Sequence, residues 1–131
     1  EFGWSEDEVK YRARIREMLD KNLPANWEEI AAHGPASEEQ TQFSYEFCPA
    51  LAKENLLVAH WPKEFGGMDA LPWHQFILGE EVWAVGEPRG GQYMNVNWIG
   101  PSLMKFSLCP GGSICYEGKR PKFWIISFFE I

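Results

Sequence analysis

Two serine-led capping boxes constrain the first half of this chain to helix. Ser5-Glu6-Asp7-Glu8 and Ser37-Glu38-Glu39-Gln40 each place a hydroxyl ahead of an acid or amide three residues later. In this arrangement the serine accepts a hydrogen bond from a free amide of the first turn, and acids in that turn suit the helix dipole. The sequence therefore predicts one helix that begins after Ser5 and another that begins after Ser37.

Apolar residues at helical spacing identify the expected buried side of the first helix. They are Val9, Ile15, Met18 and Leu19. Because Pro24 restricts the backbone before it, we expect this helix to end near Asn22. Residues 24–36 then read as a linker.

The second predicted helix carries a proline inside its apolar pattern. Its apolar face is formed by Phe43, Phe47, Leu51 and Ala52. Pro49 removes a backbone donor and crowds the preceding turn, so we expect it to kink the helix or to restart it.

Two further helices are predicted before residue 107. Pro72 suits the first position of a third helix that begins at Leu71-Pro72 and ends at Gly86. Its expected buried residues are Phe76, Ile77, Val82 and Trp83. A fourth helix over about 93–106 has Trp98, Ile99, Leu103 and Phe106 on its apolar side. Gly100-Pro101 inside it predicts a close packing contact or a kink.

The remaining residues change character. Residues 107–122 show no usable period, whereas Phe123–Phe129 is a dense run of aromatic and branched residues that predicts a buried strand. The expected fold class is therefore all-α: an N-terminal helical domain of about four to five helices over residues 1–106. Residues 107–131 are expected to form a divergent loop and one or two short strands of an incomplete β domain.

Charge and cysteine content exclude several classes of protein. The net charge of −7 disfavours a dedicated nucleic-acid binder, because phosphate contacts require a basic surface. No apolar run approaches the roughly 18–20 residues of a membrane span, and no signal peptide is visible. Three cysteines without a CxxC spacing fit reduced thiols, so we expect a cytoplasmic location.

The residues by themselves indicate no reaction. His33, His60 and His74 lie far apart without a cysteine pair, so no metal site is expected. Adjacent helical residues point about 100° apart, so Glu80-Glu81 fits solvated acids or a structural ion pair better than a catalytic pair. Neither a nucleophile elbow nor a phosphate-binding glycine loop is present.

One turn does point to a family. His60-Trp61-Pro62-Lys63-Glu64-Phe65-Gly66-Gly67 resembles the H-W-P-[KE]-x-[YF]-G-G turn of acyl-CoA dehydrogenases. Four further segments resemble that family in the same order: Tyr11–Leu19 with Asn22-Leu23-Pro24, Leu78–Trp83, Gly100–Leu103, and Phe123–Glu130 as an altered F-W-C-Q-G-F-S-E-P strand. The resemblance covers nearly the whole chain but only about the first third of a family member.

The resemblance implies a flavoenzyme. Family members use FAD to remove two hydrogens across the α and β carbons of an acyl-CoA thioester, and most are tetramers. Their catalytic glutamate belongs to a C-terminal helical domain, so we expect no catalytic residue among these 131 and no activity or FAD binding by this chain alone. The chain is thus expected to be a truncated family member that stops where the flavin-binding strand begins.

Site residues follow from the resemblance by position. Asn97, Trp98, Gly100 and Leu103 would line the acyl pocket, although plain helix core is the alternative for Trp98 and Leu103. The strand positions that approach the flavin are Ile126, Phe128 and Phe129. Ile126 replaces the family's glutamine and Phe129 its serine, which weakens that assignment.

Two alternatives stay open at this point. The chain could be a non-catalytic helical module that forms a homo-oligomer through exposed apolar surface. Residues 107–131 could be a divergent loop with a strand, or a segment read partly out of frame.

Overall fold

The computed structural model describes residues 3–106, and every regular element within them is helical. Helix α1 spans Glu6–Asn22, α2 spans Trp27–Ala32, α3 spans Glu38–Lys53, and α4 spans Pro72–Ala84. A 3-10 turn covers Lys63–Phe65. The final helical segment consists of α5 (Gln92–Met94), a π-helical stretch (Asn95–Ile99) and α6 (Gly100–Phe106). The helical fold is confirmed, while the predicted strand at 123–129 lies outside the described residues.

Both predicted helix starts are confirmed by their caps. The Ser5 amide donates to the Glu8 carboxylate at 2.6 Å, and the Glu8 amide donates to the Ser5 hydroxyl at 3.3 Å. The Ser37 hydroxyl accepts from the Gln40 amide at 3.2 Å. Two local hydrogen-bonding patterns thus determine where α1 and α3 begin.

The predicted linker contains a helix, so that prediction is wrong. Helix α2 begins at Trp27, whose side chain is buried and whose indole donates to the Val85 carbonyl at 2.6 Å. Six residues are too few for a stable isolated helix in water. We infer that burial of Trp27 against the end of α4 stabilises α2.

Pro49 does not interrupt α3, which continues to Lys53. The proline itself is exposed, whereas Phe47, Cys48 and Leu51 around it are buried. Burial of these side chains offsets the roughly 3 kcal/mol that an interior proline costs a helix. Ala52, which was expected on the buried face, is exposed.

The core forms where α1, α3 and α4 meet the connection around residues 56–61. Its buried members include Ile15, Met18, Leu19, Phe47, Leu51, Leu56, Leu57, Trp61, Ile77, Leu78, Val82 and Val96. Val9 is 54% exposed, contrary to expectation. At about 100° per residue it points roughly 120° away from Ile15, off the buried stripe.

The buried face predicted for α4 is half correct, because Ile77 and Val82 are buried as expected but Phe76 and Trp83 are not. Phe76 and Trp83 are 57% and 50% exposed, whereas Leu78 and Glu81 are buried. The prediction omitted Leu78 and the carboxylate of Glu81, which share the buried face with Ile77 and Val82. Phe76 and Trp83 therefore lie on the opposite, outer face of the helix.

Ion pairs between α1 and α4 explain the buried carboxylate. Glu81 accepts from Arg16 Nε at 2.7 Å and also from Arg12, while Arg12 reaches Glu80 at 2.6 Å. The hydrogen bond from Arg16, with that from Arg12, holds the pKa of Glu81 below its ordinary value of 4.5. Glu80 and Glu81 are thus structural ion-pair partners, as the sequence indicated.

We predict that Glu81→Gln lowers the free energy of unfolding at pH 7 by about 1–3 kcal/mol, because it leaves Arg16 without a charged acceptor and Arg12 with Glu80 alone. A carboxylate with a lowered pKa in the folded state stabilises it above its unfolded pKa, and this contribution disappears as the pH falls below 4.5. The variant should therefore lose less stability on acidification than the unsubstituted chain. Urea unfolding over a pH series measures both effects. Exposed Glu46, replaced by Gln, is the control, and equal acid sensitivity of both variants would contradict the prediction.

Candidate functional site

The His60–Gly67 turn folds tightly back on Trp61. Gly66 has φ +87°, a conformation that side chains rarely adopt. A Cβ on Gly67 would lie 1.8 Å from the Trp61 carbonyl oxygen, which accepts the Asp69 amide at 3.0 Å. The paired glycines are therefore required for two reasons, backbone conformation at the first and space at the second.

This turn supplies two donors to one carbonyl of the final helical segment. In the π-helical stretch the Gly100 amide donates to Asn95 instead of Val96. The next residue, Pro101, has no amide proton to replace that donor. The Val96 carbonyl instead accepts the Trp61 indole at 2.7 Å and His60 Nε2 at 3.2 Å.

His60 must carry a proton on Nε2 to donate to the Val96 carbonyl. Burial lowers the pKa of His60, which favours the uncharged ring. The histidine of the turn is thus part of a hydrogen-bond anchor. Within residues 3–106 no three potential ligands lie together in a group that could hold a metal ion.

Gly100 lies directly against the Trp61 ring. A Cβ at this position would be 2.3 Å from the indole, which confirms the predicted close packing contact. The structure thus places Gly100 on the side of the final helical segment that meets the turn. Leu103 lies one turn further along, in α6, and is half-buried.

The other side of this segment borders an open cleft. The cleft lies between α4 and the final helical segment and has a volume of about 430 Å³. Its lining consists of Gln75, Phe76, Gly79, Glu80, Trp83, Arg89, Tyr93, Asn97 and Trp98. Two of the four predicted pocket residues, Asn97 and Trp98, are therefore brought together in one cleft, and Gly100 and Leu103 are not among its lining residues.

Tyr93 is the centre of the cleft's aromatic lining. Its ring lies 5.5 Å from Trp83 and 5.8 Å from Trp98, at interplanar angles of 81° and 69°. Both edge-to-face contacts fall within the distances that aromatic pairs prefer. The Arg89 guanidinium lies 5.2 Å from the centre of the Tyr93 ring.

A buried ion pair holds the connection that carries Arg89. Glu87 and Arg89 are 0% and 3% exposed and form two hydrogen bonds, at 2.6 and 2.8 Å. Gln40 of α3 donates to the Gly86 and Glu87 carbonyls at 2.6 and 2.5 Å. The sequence predicted only a loop here. Its one indication that the loop is held in place was the pair of opposite charges, Glu87 and Arg89, two residues apart.

Amide groups close one edge of the cleft. Gln75 donates to the Asn97 side-chain oxygen at 2.9 Å, and Asn97 donates to the Tyr93 carbonyl at 3.1 Å. These bonds link α4 to the final helical segment across the cleft. The site is thus an aromatic cleft with a neutral polar edge.

Two other features carry no evident chemistry. Burial raises the pKa of the Cys48 thiol to about 12, so this cysteine is not a nucleophile near neutral pH. A second cavity of about 430 Å³ contains Arg14, Lys21 and Lys53. It lies at the C-terminal ends of α1 and α3, where basic residues complement the negative end of the helix dipole.

Comparison with known proteins gives one match. A family model described as "Acyl-CoA dehydrogenase, N-terminal domain" matches residues 5–107. No curated protein and no solved structure matches the chain significantly. In the described part of the chain, no helix is both long enough and apolar enough to cross a membrane.

We predict that Gly100→Ala lowers the free energy of unfolding by about 1–3 kcal/mol, because the added methyl group must displace the Trp61 ring. Gly91→Ala is the matched control. Gly91 precedes the same helical segment at φ −61°, and a Cβ there meets nothing within 4 Å. Denaturant unfolding followed by tryptophan fluorescence measures both variants. Equal stability of the two would show that the Trp61 contact does not restrict position 100.

Proposed function

This chain belongs to the acyl-CoA dehydrogenase family through its N-terminal helical domain, and from that membership we propose that residues 5–106 form one wall of a site for an acyl-CoA thioester. The observation that carries the proposal is the cleft, because it brings Asn97 and Trp98 together among exposed aromatic rings. Such a lining suits the hydrocarbon part of an acyl group, and its amide edge suits a polar substituent.

The four predicted pocket residues have different proposed roles. Asn97 and Trp98 would contact the acyl group directly, from the cleft. Gly100 would act indirectly, since its contact with Trp61 determines how closely the helical segment approaches the His60–Gly67 turn. For Leu103, a direct contact from α6 stays a prediction.

FAD is the cofactor that family membership implies, and we propose no contact to it from the arginines of the described residues. Within residues 3–106 every arginine is bonded to a carboxylate: Arg12 and Arg16 to Glu81, Arg14 to Glu54, and Arg89 to Glu87. None of them is free to bind a pyrophosphate group. The predicted flavin contacts of Ile126, Phe128 and Phe129 lie outside the described residues and stay predictions.

No proton-abstracting base is proposed within the cleft. Glu80 is the carboxylate among the lining residues, and it is bonded to Arg12 at 2.6 Å. We therefore propose that the domain binds the acyl group and shapes its pocket. Turnover would require catalytic groups from outside the described residues. The family match ends at residue 107, which supports the proposed division into residues 1–106 and 107–131. The expected cytoplasmic location stays a prediction.

Self-association is a second proposal. Phe76, Trp83, Trp98 and Ile99, which lie on α4 and the final helical segment, are each at least 40% exposed. Apolar surface of this kind marks contacts with other proteins or domains. A homo-oligomer formed through this surface would explain the exposure, and sedimentation analysis of the chain tests it.

We predict that a chimaera carrying residues 5–106 in place of the N-terminal domain of a characterised acyl-CoA dehydrogenase binds FAD and loses its visible flavin absorption when acyl-CoA is added. Trp98→Ala in this chimaera should lower kcat/KM about tenfold, which corresponds to ~1.4 kcal/mol of lost binding.

Met94→Ala is the matched control, because Met94 is 46% exposed on the same helical segment and does not line the cleft. Equal kcat/KM for the two variants would contradict the proposed role of Trp98. A folded chimaera that binds FAD but does not respond to acyl-CoA would contradict the proposed function.

A further inference from the structure

Gly79 forms part of the cleft in the middle of α4, where a glycine is otherwise unfavourable. Glycine destabilises a helix interior relative to alanine, so it is usually required there by a close contact. At Gly79 a Cβ would meet nothing within 4 Å. No other part of the described chain therefore occupies the space that a side chain at position 79 would fill. The effect of the glycine is to leave this space open within the cleft.

Four of the residues that line the cleft with Gly79 are aromatic: Phe76, Trp83, Tyr93 and Trp98. Phe76, Trp83 and Trp98 are 57%, 50% and 55% exposed, although each lies in the cleft. Flat aromatic surfaces gain most from a ligand that is itself flat, because offset stacking and edge-to-face contact both need rings. A flexible chain would lose rotational freedom in the cleft without matching these surfaces.

Charge at the cleft excludes an anionic ligand group. Glu80 on the rim is paired with Arg12 at 2.6 Å, and the positive charge of Arg89 is neutralised by Glu87 at 2.6 Å. Gln75 and Asn97 supply only neutral amide groups. A carboxylate or phosphate within the cleft would find no unpaired cation among the lining residues.

We propose that the cleft binds a flat, uncharged ring system, aromatic or fused, as the ring-bearing part of an acyl group, an inference that rests on the proposed function. The volume of about 430 Å³ falls within the roughly 300–1,000 Å³ range of small-molecule sites. The ring system stacks between the aromatic side chains, with one edge over Gly79. The acyl group recognised by this wall is thus cyclic rather than a straight chain.

The test is NMR spectroscopy of the 15N-labelled full chain, titrated with three probes: naphthalene-2-carboxamide, n-octanamide and naphthalene-2-carboxylate. The expected result is a shift of the Trp83 and Trp98 indole N–H signals with the first probe. The Trp27 and Trp61 indoles, which are buried and bonded to Val85 and Val96, should not move. The linear amide and the anionic ring should each bind at least about tenfold more weakly.

Gly79→Leu supplies the decisive variant. Leucine fills the cleft and is a better helix former, so thermal stability should be kept or raised while affinity for naphthalene-2-carboxamide falls at least about tenfold. Ala84→Leu is the matched control, since Ala84 is exposed on the same helix and does not line the cleft. It should retain binding.

Three results would overturn the inference: equal or tighter binding of n-octanamide, binding unchanged by Gly79→Leu, or a dimer of the chain that Gly79→Leu dissociates. In the last case a second copy occupies the cleft. If the chimaera turns over acyl-CoA but none of the three probes shifts the Trp83 and Trp98 indole N–H signals, the inference fails and the proposed function stands. If naphthalene-2-carboxamide binds to the chain but the chimaera does not respond to acyl-CoA, the inference stands and the proposed function fails.

Discussion

The position of the final helical segment depends on one carbonyl oxygen. Pro101 and the π-helical stretch leave Val96 without a helical donor, and a buried carbonyl without a partner costs considerable free energy. Trp61 and His60 remove that cost, because both rings donate to it. Pro101 would weaken an isolated helix. Here the carbonyl that it leaves without a helical donor is the group through which the final helical segment is bonded to the His60–Gly67 turn. π-Helical stretches are frequent at functional sites, and here one side of the stretch is anchored while the other borders the cleft.

Buried charge holds the remaining elements around that anchor. Glu81 joins α4 to α1 through two arginines, and Glu87 joins Arg89 within the connection that leads into α5. In each case the carboxylate has hydrogen-bonded cationic partners, which is the condition under which a buried charge is tolerated. The second pair also places a guanidinium beside Tyr93, so the geometry of the aromatic cleft depends on this buried ion pair. The walls of the cleft are therefore held in part by ion pairs that reach beyond it, to Arg12 and Glu87.

Local signals in the sequence predicted local structure well. The caps at Ser5 and Ser37 were correct because their hydrogen bonds join groups only three residues apart. Predictions of burial failed where a carboxylate competed with rings for the inner face of α4. Hydrophobic spacing favoured Phe76 and Trp83 as core residues. Ion pairs with the arginines of α1 instead hold Glu81 on the buried face of α4, and both rings lie on the exposed face. Helix α2 was missed for a related reason, since Trp27 depends on a carbonyl 58 residues later in the chain.

The sequence by itself determined the helical class, the starts of α1 and α3, and the His60–Gly67 turn that carries the family resemblance. Each of these rests on interactions within a few residues, so it can be read from consecutive letters. Only the tertiary structure decided which rings remain outside the core, and that Asn97 and Trp98 share a cleft with Gly79 and Trp83. That arrangement requires α4 and the final helical segment to be fixed relative to each other. The contacts that fix them include the Trp61–Val96 hydrogen bond, which spans 35 residues, and such a pairing has no signature in the order of residues along the chain.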